Sequence, residues 1–164
     1  MPSGSGIDLN NYFYENIPNG TNSSNSGVLF SIKNFPALKN EGTSCKYMFS
    51  NFGGVSIDFS NFETSEVEDM AYMFYQAINL ERLDLSSFFT PKLTNTNYMF
   101  YNCKSLKYLD MRNFDFTPIT SSGIMFYNVP NDCEIIVKDD VARNWILSMN
   151  DKFTNIKTLE EIGG

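Results

Sequence analysis

Three aspartates recur at equal spacing and suggest a row of carboxylates that could attract a cation. Asp58, Asp84 and Asp110 lie 26 residues apart, each between two apolar residues. Alternation of this kind is typical of a strand whose apolar residues face inward and whose aspartate faces outward. Neighbouring strands are about 4.8 Å apart, so stacked aspartates would repel one another without an intervening cation or hydrogen-bond donor.

Two interpretations of this aspartate row follow from its chemistry. It is a calcium site or a patch for a basic partner, or else a solvated strand face whose carboxylates accept hydrogen bonds from Ser, Thr or backbone groups. The second is favoured, because no closely spaced acidic loop provides the six or more oxygen ligands that calcium requires. We therefore expect no bound metal and no cofactor.

A second row is aromatic and could bind a sugar or a protein. Tyr75, Tyr101 and Tyr127 recur at the same interval, and Asn102 and Asn128 follow two of them. A companion row comprises Tyr47, Tyr72 and Tyr98. A tyrosine ring can cover the apolar face of a sugar while an amide bonds its hydroxyls, and tyrosine is also enriched in protein interfaces. The alternative is that these tyrosines pack between repeats with their hydroxyls in water.

Composition argues against several other functions. The chain has no histidine, which removes the commonest general base and metal ligand. It also lacks a serine elbow, a phosphate loop and a glycosidase-like acid pair, so we expect no catalysis. A net charge of −7 without a basic cluster argues against nucleic acid. No apolar run is long enough for membrane insertion.

The dipeptide Met-Phe reveals the repeat that positions both rows. It occurs at Met48-Phe49, Met73-Phe74, Met99-Phe100 and Met125-Phe126, in steps of 25, 26 and 26 residues. A fixed period of this length predicts a solenoid of stacked units. The spacing of Met70, Met73, Phe74 and Ala77 at i, i+3, i+4 and i+7 further predicts a short helix in each unit. The predicted fold is thus an α/β solenoid with a parallel sheet, short helices and caps.

The chain divides into three predicted segments. Residues 1–27 are a polar N-terminal segment or cap, 28–137 a solenoid of about four repeats, and 138–164 a C-terminal cap. Phe30-Ser31-Ile32 is interpreted as a degenerate first strand. In the cap, Asp139 or Asp140 begins a helix that runs to about Asn150, and residues 155–159 could add a last strand. The helix is predicted to turn the following residues inward: Val141, Ala142, Trp145, Ile146 and Met149.

The cysteines are interpreted as packing residues. There are three, and Cys45 and Cys103 occupy inward positions of the repeat that other units fill with small or apolar residues. Their spacing suits neither a disulfide framework nor a metal site.

The repeat resembles a known family. Leu80-Glu81-Arg82-Leu83-Asp84-Leu85-Ser86-Ser87-Phe88, followed by Tyr98-Met99-Phe100-Tyr101-Asn102-Cys103, is similar to the leucine-rich repeat of BspA type. That repeat is found in bacterial surface proteins, including mycoplasma lipoproteins. The resemblance extends roughly from Phe30 to Val137. It implies a leucine-rich-repeat stack and a surface-exposed, often adhesive role, and it provides no catalytic motif.

Two settings for a binding function follow. The first is a non-catalytic adhesion module on a bacterial cell surface that recognises a protein or a glycan. The alternative is a phage virion protein, in a tail fibre, baseplate or capsid decoration, that contacts other virion subunits or the host. Residues 1–6 lack the charged and apolar regions of a secretory signal. We accordingly expect either an expressed fragment of a longer surface protein or a protein released by lysis, extracellular in both cases.

Overall fold

The predicted parallel solenoid is confirmed in a computed structural model of the chain, which describes residues 29–31, 44–59 and 62–164. Six strands pair in sequence order into one parallel sheet. They are β1 (Leu29–Ser31), β2 (Ser56–Asp58), β3 (Arg82–Asp84), β4 (Tyr108–Asp110), β5 (Glu134–Val137) and β6 (Ile156–Thr158). Helix α1 (Asp140–Met149) lies between β5 and β6. The predicted N-terminal segment 1–27 lies outside the described residues.

The strands stack in register with the repeat. Ile57 of β2 pairs with Leu83 of β3, which pairs with Leu109 of β4, and Leu109 pairs with Ile135 of β5. These central residues are buried. The predicted degenerate first strand also forms, one residue earlier than expected, with Phe30 opposite Ile57.

Aromatic stacks fill the interior. The phenylalanines of the four Met-Phe pairs lie one above another, with ring centroids 5.7, 5.7 and 5.6 Å apart. Phe62, Phe88 and Phe114 form a second stack at 5.6 and 6.0 Å. Burying a side chain of this size stabilises the fold by about 1.5–3 kcal/mol, and each ring pair adds about 0.5–1.5 kcal/mol. The core is therefore continuous from one coil to the next.

The predicted short helix in each repeat is wrong. Residues 71–76 and their equivalents form consecutive turns. In an α-helix each amide bonds four residues back along the same segment. Here the amides of Tyr72, Phe74 and Gln76 instead donate to the next coil, at 2.9, 2.9 and 2.8 Å, while the intervening amides bond within the turns. Turns that bring Met and Phe inward at intervals of three and four residues imitate a helical pattern in the sequence.

The C-terminal cap contains the predicted helix. The Asp139 carboxylate caps α1 by accepting a hydrogen bond from the Ala142 amide at 3.0 Å. Ala142 and Ile146 are buried, and the Trp145 ring packs 4.6 Å from that of Phe116. The predicted inner face was too wide, since Val141 and Met149 are 78% and 43% exposed. Within the described ranges, no helix has the length and apolarity needed to cross a membrane.

The three cysteines are buried and unpaired, as the packing interpretation predicted. Burial raises the pKa of Cys45, Cys103 and Cys133 to about 12. Their thiols are therefore protonated and inert at neutral pH.

Candidate functional site

Six tyrosines form one patch of stacked rings, called here the tyrosine array. Its first row comprises Tyr47, Tyr72 and Tyr98, with ring centroids 4.7 and 4.7 Å apart. Its second row comprises Tyr75, Tyr101 and Tyr127, at 5.1 and 4.9 Å. The rows also touch each other, since the centroids of Tyr72 and Tyr75 are 5.4 Å apart. The two rows predicted from spacing thus meet as one surface.

The backbone of the turns places the array outside the core. In the two middle coils the buried Met-Phe pair separates a first-row tyrosine from a second-row tyrosine, as in Tyr72-Met73-Phe74-Tyr75. The first coil has Ser50 at the second-row position, and the fourth has Ile124 at the first-row position. The turns on either side of this pair reverse the chain, so that Met and Phe point inward while both tyrosines lie at the surface. The array therefore follows the repeat, with two rings from each of the two middle coils and one from each outer coil.

The first row occupies a backbone conformation that tyrosine disfavours. Tyr47, Tyr72 and Tyr98 have φ of 61°, 59° and 57°. A side chain at positive φ brings its Cβ close to the following carbonyl, which costs roughly 1–2 kcal/mol. Glycine or asparagine would occupy these positions with less strain. The rings are present despite this cost, a pattern that is common at functional sites.

A row of amides borders the tyrosines. Asn51, Gln76, Asn102 and Asn128 follow the second-row position in successive coils, and all have positive φ. The side-chain Nδ2 of Asn128 donates to Oδ1 of Asn102 at 2.8 Å. The structure places the predicted Asn102 and Asn128 beside the rings, and it adds Asn51 and Gln76, which the sequence analysis missed. The signal for Gln76 was its position directly after Tyr75, three residues from Met73.

Stacking determines which parts of the rings a ligand can reach. Along each row, one ring covers the face of the next, with interplanar angles between 7° and 23°. The inner rings, Tyr72 and Tyr101, therefore present mainly their edges and hydroxyls to a ligand. Tyr127 ends its row and is 50% exposed.

The other end of the array carries a cation. Nζ of Lys46 lies 5.4 Å from the ring centroid of Tyr47 and 6.0 Å from that of Tyr72. Desolvation, together with the neighbouring phenols, raises the pKa of Tyr72. Its hydroxyl therefore stays protonated at neutral pH and can donate a hydrogen bond.

The predicted aspartate row forms, but its three members differ in environment. Asp58 pairs with Asp84, and Asp84 with Asp110, in the parallel register of the sheet. Asp84 is partly exposed and accepts a hydrogen bond from the Ser86 amide at 3.1 Å. Arg82 lies 3.8 Å from the Asp84 carboxylate. These contacts match the interpretation of a strand face whose carboxylates are satisfied by nearby donors.

Asp110 corrects the expectation that all three aspartates face outward. Its side chain is 1% exposed. Oδ2 of Asp110 lies 2.6 Å from Arg112 Nη2 and accepts from the Tyr108 hydroxyl at 3.0 Å. The ion pair with Asp110 raises the pKa of the Arg112 guanidinium. Burial, and to a smaller extent the hydrogen bond to Asp110, raise the pKa of the Tyr108 hydroxyl. A carboxylate enclosed in this way has no free oxygen to offer a ligand.

Residues 44–59 and 62–164 contain no cluster of side chains that could bind calcium. No three side chains of the metal-binding types come together there. The candidate site therefore reduces to the tyrosine array and its amides.

Comparison with known proteins places the repeat in a family. The family described as "Mycoplasma protein of unknown function, DUF285" matches residues 39–138, more than half of the chain. The chain belongs to this family. No curated protein and no solved structure matches it.

The DUF285 match includes the whole tyrosine array and excludes α1 and β6. It supports the repeat and solenoid character that the sequence implied. The array thus lies within the family repeat, whereas the C-terminal cap lies beyond it.

A cleft of about 620 Å³ opens where the last DUF285 coil meets the cap. Its walls include Tyr127 and Asn128 from the coil, Met149 from α1, and two lysines, Lys104 and Lys152. Neither lysine was predicted from the sequence, because neither recurs with the repeat. The array therefore ends in a concave, basic site.

Proposed function

We propose that the chain is a non-catalytic recognition module of BspA type, displayed on a bacterial cell surface, that binds a glycan or a protein through the tyrosine array. The observation that carries this proposal is the array itself: six stacked tyrosines at the surface, three of them in a strained backbone conformation. The core is complete without them, since the Met-Phe pairs fill it. Filling of the core therefore does not account for the tyrosines at the three left-handed positions.

The chemistry of the array suits recognition better than catalysis. Stacked rings make a rigid platform, so little side-chain entropy is lost on binding. Phenol hydroxyls and amides provide donors and acceptors around an apolar surface, a combination that is frequent at binding hot spots. The virion alternative receives no support from the family match.

The test is binding of the labelled protein to a panel of bacterial cells, wall polysaccharides, host matrix proteins and mammalian glycans. The decisive variant replaces Tyr75, Tyr101 and Tyr127 with serine, the residue that the first coil has at this position as Ser50. Because serine is native to the repeat, the coil should remain folded, as circular dichroism would verify. We expect saturable binding to at least one target and its loss in the triple variant.

The matched control is Phe89→Ser. Phe89 is an exposed aromatic residue, 59% accessible, and does not belong to the array. Binding by this variant should equal that of the unaltered chain. Equal binding by the triple tyrosine variant would contradict the proposal. Antibody labelling of intact cells that produce the protein would test its surface display.

A further inference from the structure

The cleft at the end of the array has a charge opposite to that of the molecule as a whole. The chain has a net charge of −7. Yet the side chains that line the cleft include Lys104 and Lys152 and no Asp or Glu. Opposite local charge in a concave site attracts and retains anionic groups.

Both lysines lack an ion-pair partner among the described residues. Two other lysines of the repeat are paired from one coil to the next: Lys92 with Glu66 at 2.6 Å and Lys107 with Glu81 at 2.9 Å. Lys104 and Lys152 line the same cleft without such a pair, so each ammonium group can donate hydrogen bonds to a ligand.

The cleft also offers an accessible ring face. One face of Tyr127 lies against Tyr101, at a centroid distance of 4.9 Å. No further ring continues the row among the described residues, and Tyr127 lines the cleft. Asn128 beside it has one amide hydrogen and its carbonyl oxygen left after its bond to Asn102. A ring face, an amide and two cations thus surround one space.

We infer that this cleft binds a carboxylate-bearing sugar. The sugar ring lies on the outer face of Tyr127, its hydroxyls bond Asn128, and its carboxylate lies between Lys104 and Lys152. A volume of about 620 Å³ accommodates one or two sugar residues. This inference rests on the proposed function and specifies its ligand class, with the neighbouring sugars of a chain extending over the array.

Calorimetric titration with a matched ligand pair tests the carboxylate. Trigalacturonic acid and its methyl ester have the same rings and hydroxyls and differ in charge, and 3′-sialyllactose and lactose form a second pair. The acid of each pair should bind saturably and about tenfold or more tighter than its neutral counterpart. Raising the NaCl concentration from about 50 to about 500 mM should weaken binding of the acid, because salt screens exposed charges.

Two double variants test the residues. Lys104→Gln with Lys152→Gln should lower affinity for the acid about tenfold or more. Lys92→Gln with Lys138→Gln changes the net charge equally at exposed positions outside the cleft, and it should leave affinity within about twofold. Equal losses in the two doubles would overturn the inference.

Other outcomes also decide the matter. Equal binding of acid and ester, or no saturable binding of either acid, overturns the inference. Triglutamate binding as tightly as trigalacturonic acid overturns it too, because the cleft would then recognise charge alone. A panel target that the tyrosine variant loses but the Lys104, Lys152 variant retains would leave the proposed function standing and exclude the cleft.

Discussion

At the scale of the residue, the backbone strain of the first-row tyrosines can be tested, because a left-handed backbone reverses the usual stability order of alanine and glycine. Alanine normally stabilises a fold relative to glycine, because glycine loses more chain entropy on folding. At positive φ the order reverses, since glycine has no Cβ to strain. Tyr72, at 59°, and Tyr75, outside the positive range, lie three residues apart in the same coil.

Substitution of these two tyrosines should therefore give opposite results. Tyr72→Gly should be more stable than Tyr72→Ala by about 1 kcal/mol. Tyr75→Ala should instead be more stable than Tyr75→Gly by about 0.5–1 kcal/mol. Free energies of unfolding from urea titrations would measure both pairs. The same order at both positions would show that Tyr72 is not strained.

At the scale of the element, strand β4 differs from β3 in the burial of its aspartate. Asp110 is almost completely enclosed, whereas Asp84 at the equivalent position of β3 is partly exposed. A buried charge depends on its partner far more than an exposed one does. Arg112 therefore stabilises the last coils in a way that surface cations do not.

Removing the partner of Asp110 should expose this difference. Arg112→Gln should lower the free energy of unfolding by about 3 kcal/mol, since it leaves a buried carboxylate without its cation. Lys107→Gln breaks an exposed pair with Glu81 and should cost less than about 1 kcal/mol. Urea unfolding of the two variants would provide the comparison. Similar costs would mean that Asp110 is satisfied without Arg112.

The period of the repeat made the stack, the strand register and the tyrosine rows predictable, because each depends on one position recurring in every coil. The turns were mistaken for helices, since Met70, Met73, Phe74 and Ala77 face inward in either structure. The burial of Asp110 escaped prediction for a different reason. It depends on Arg112 and Tyr108, which other coils lack. Lys104 and Lys152 line one cleft only because the cap folds against the last coil, and no spacing in the sequence predicts this.

At the scale of the whole molecule, the buried thiols make the stability of the fold depend on pH in the alkaline range. Burial raises the pKa of Cys103 from an ordinary value of 9.0 to about 12. Below pH 9 the thiol is protonated in both the folded and unfolded chain, so its full contribution to the free energy of unfolding is present. Between 9 and about 12 only the unfolded chain ionises, and stability therefore falls as pH rises.

Comparison with Cys103→Ala should isolate this effect. Alanine is the residue of the preceding coil at this position, Ala77, so the variant should fold. From about pH 8 to about pH 10 the unaltered chain should lose about 1.4 kcal/mol more than the variant. Urea unfolding at the two pH values measures this difference. Parallel losses in both proteins would show that the Cys103 thiol is already accessible to base.

The hydrogen bonds that join one coil to the next also determine how such a gene can change in length. In each of the first three coils, turn amides donate to carbonyls of the coil that follows, so these coils present the same set of donors and acceptors to their neighbours. Duplicating one 26-residue unit inserts a coil without leaving backbone groups unpaired or interrupting the phenylalanine stack. Each added copy of a middle coil lengthens the surface by two tyrosines and leaves the terminal cleft unchanged. The number of coils then determines how far the surface extends along a long ligand. A duplication changes this length without changing the selectivity of the terminal cleft.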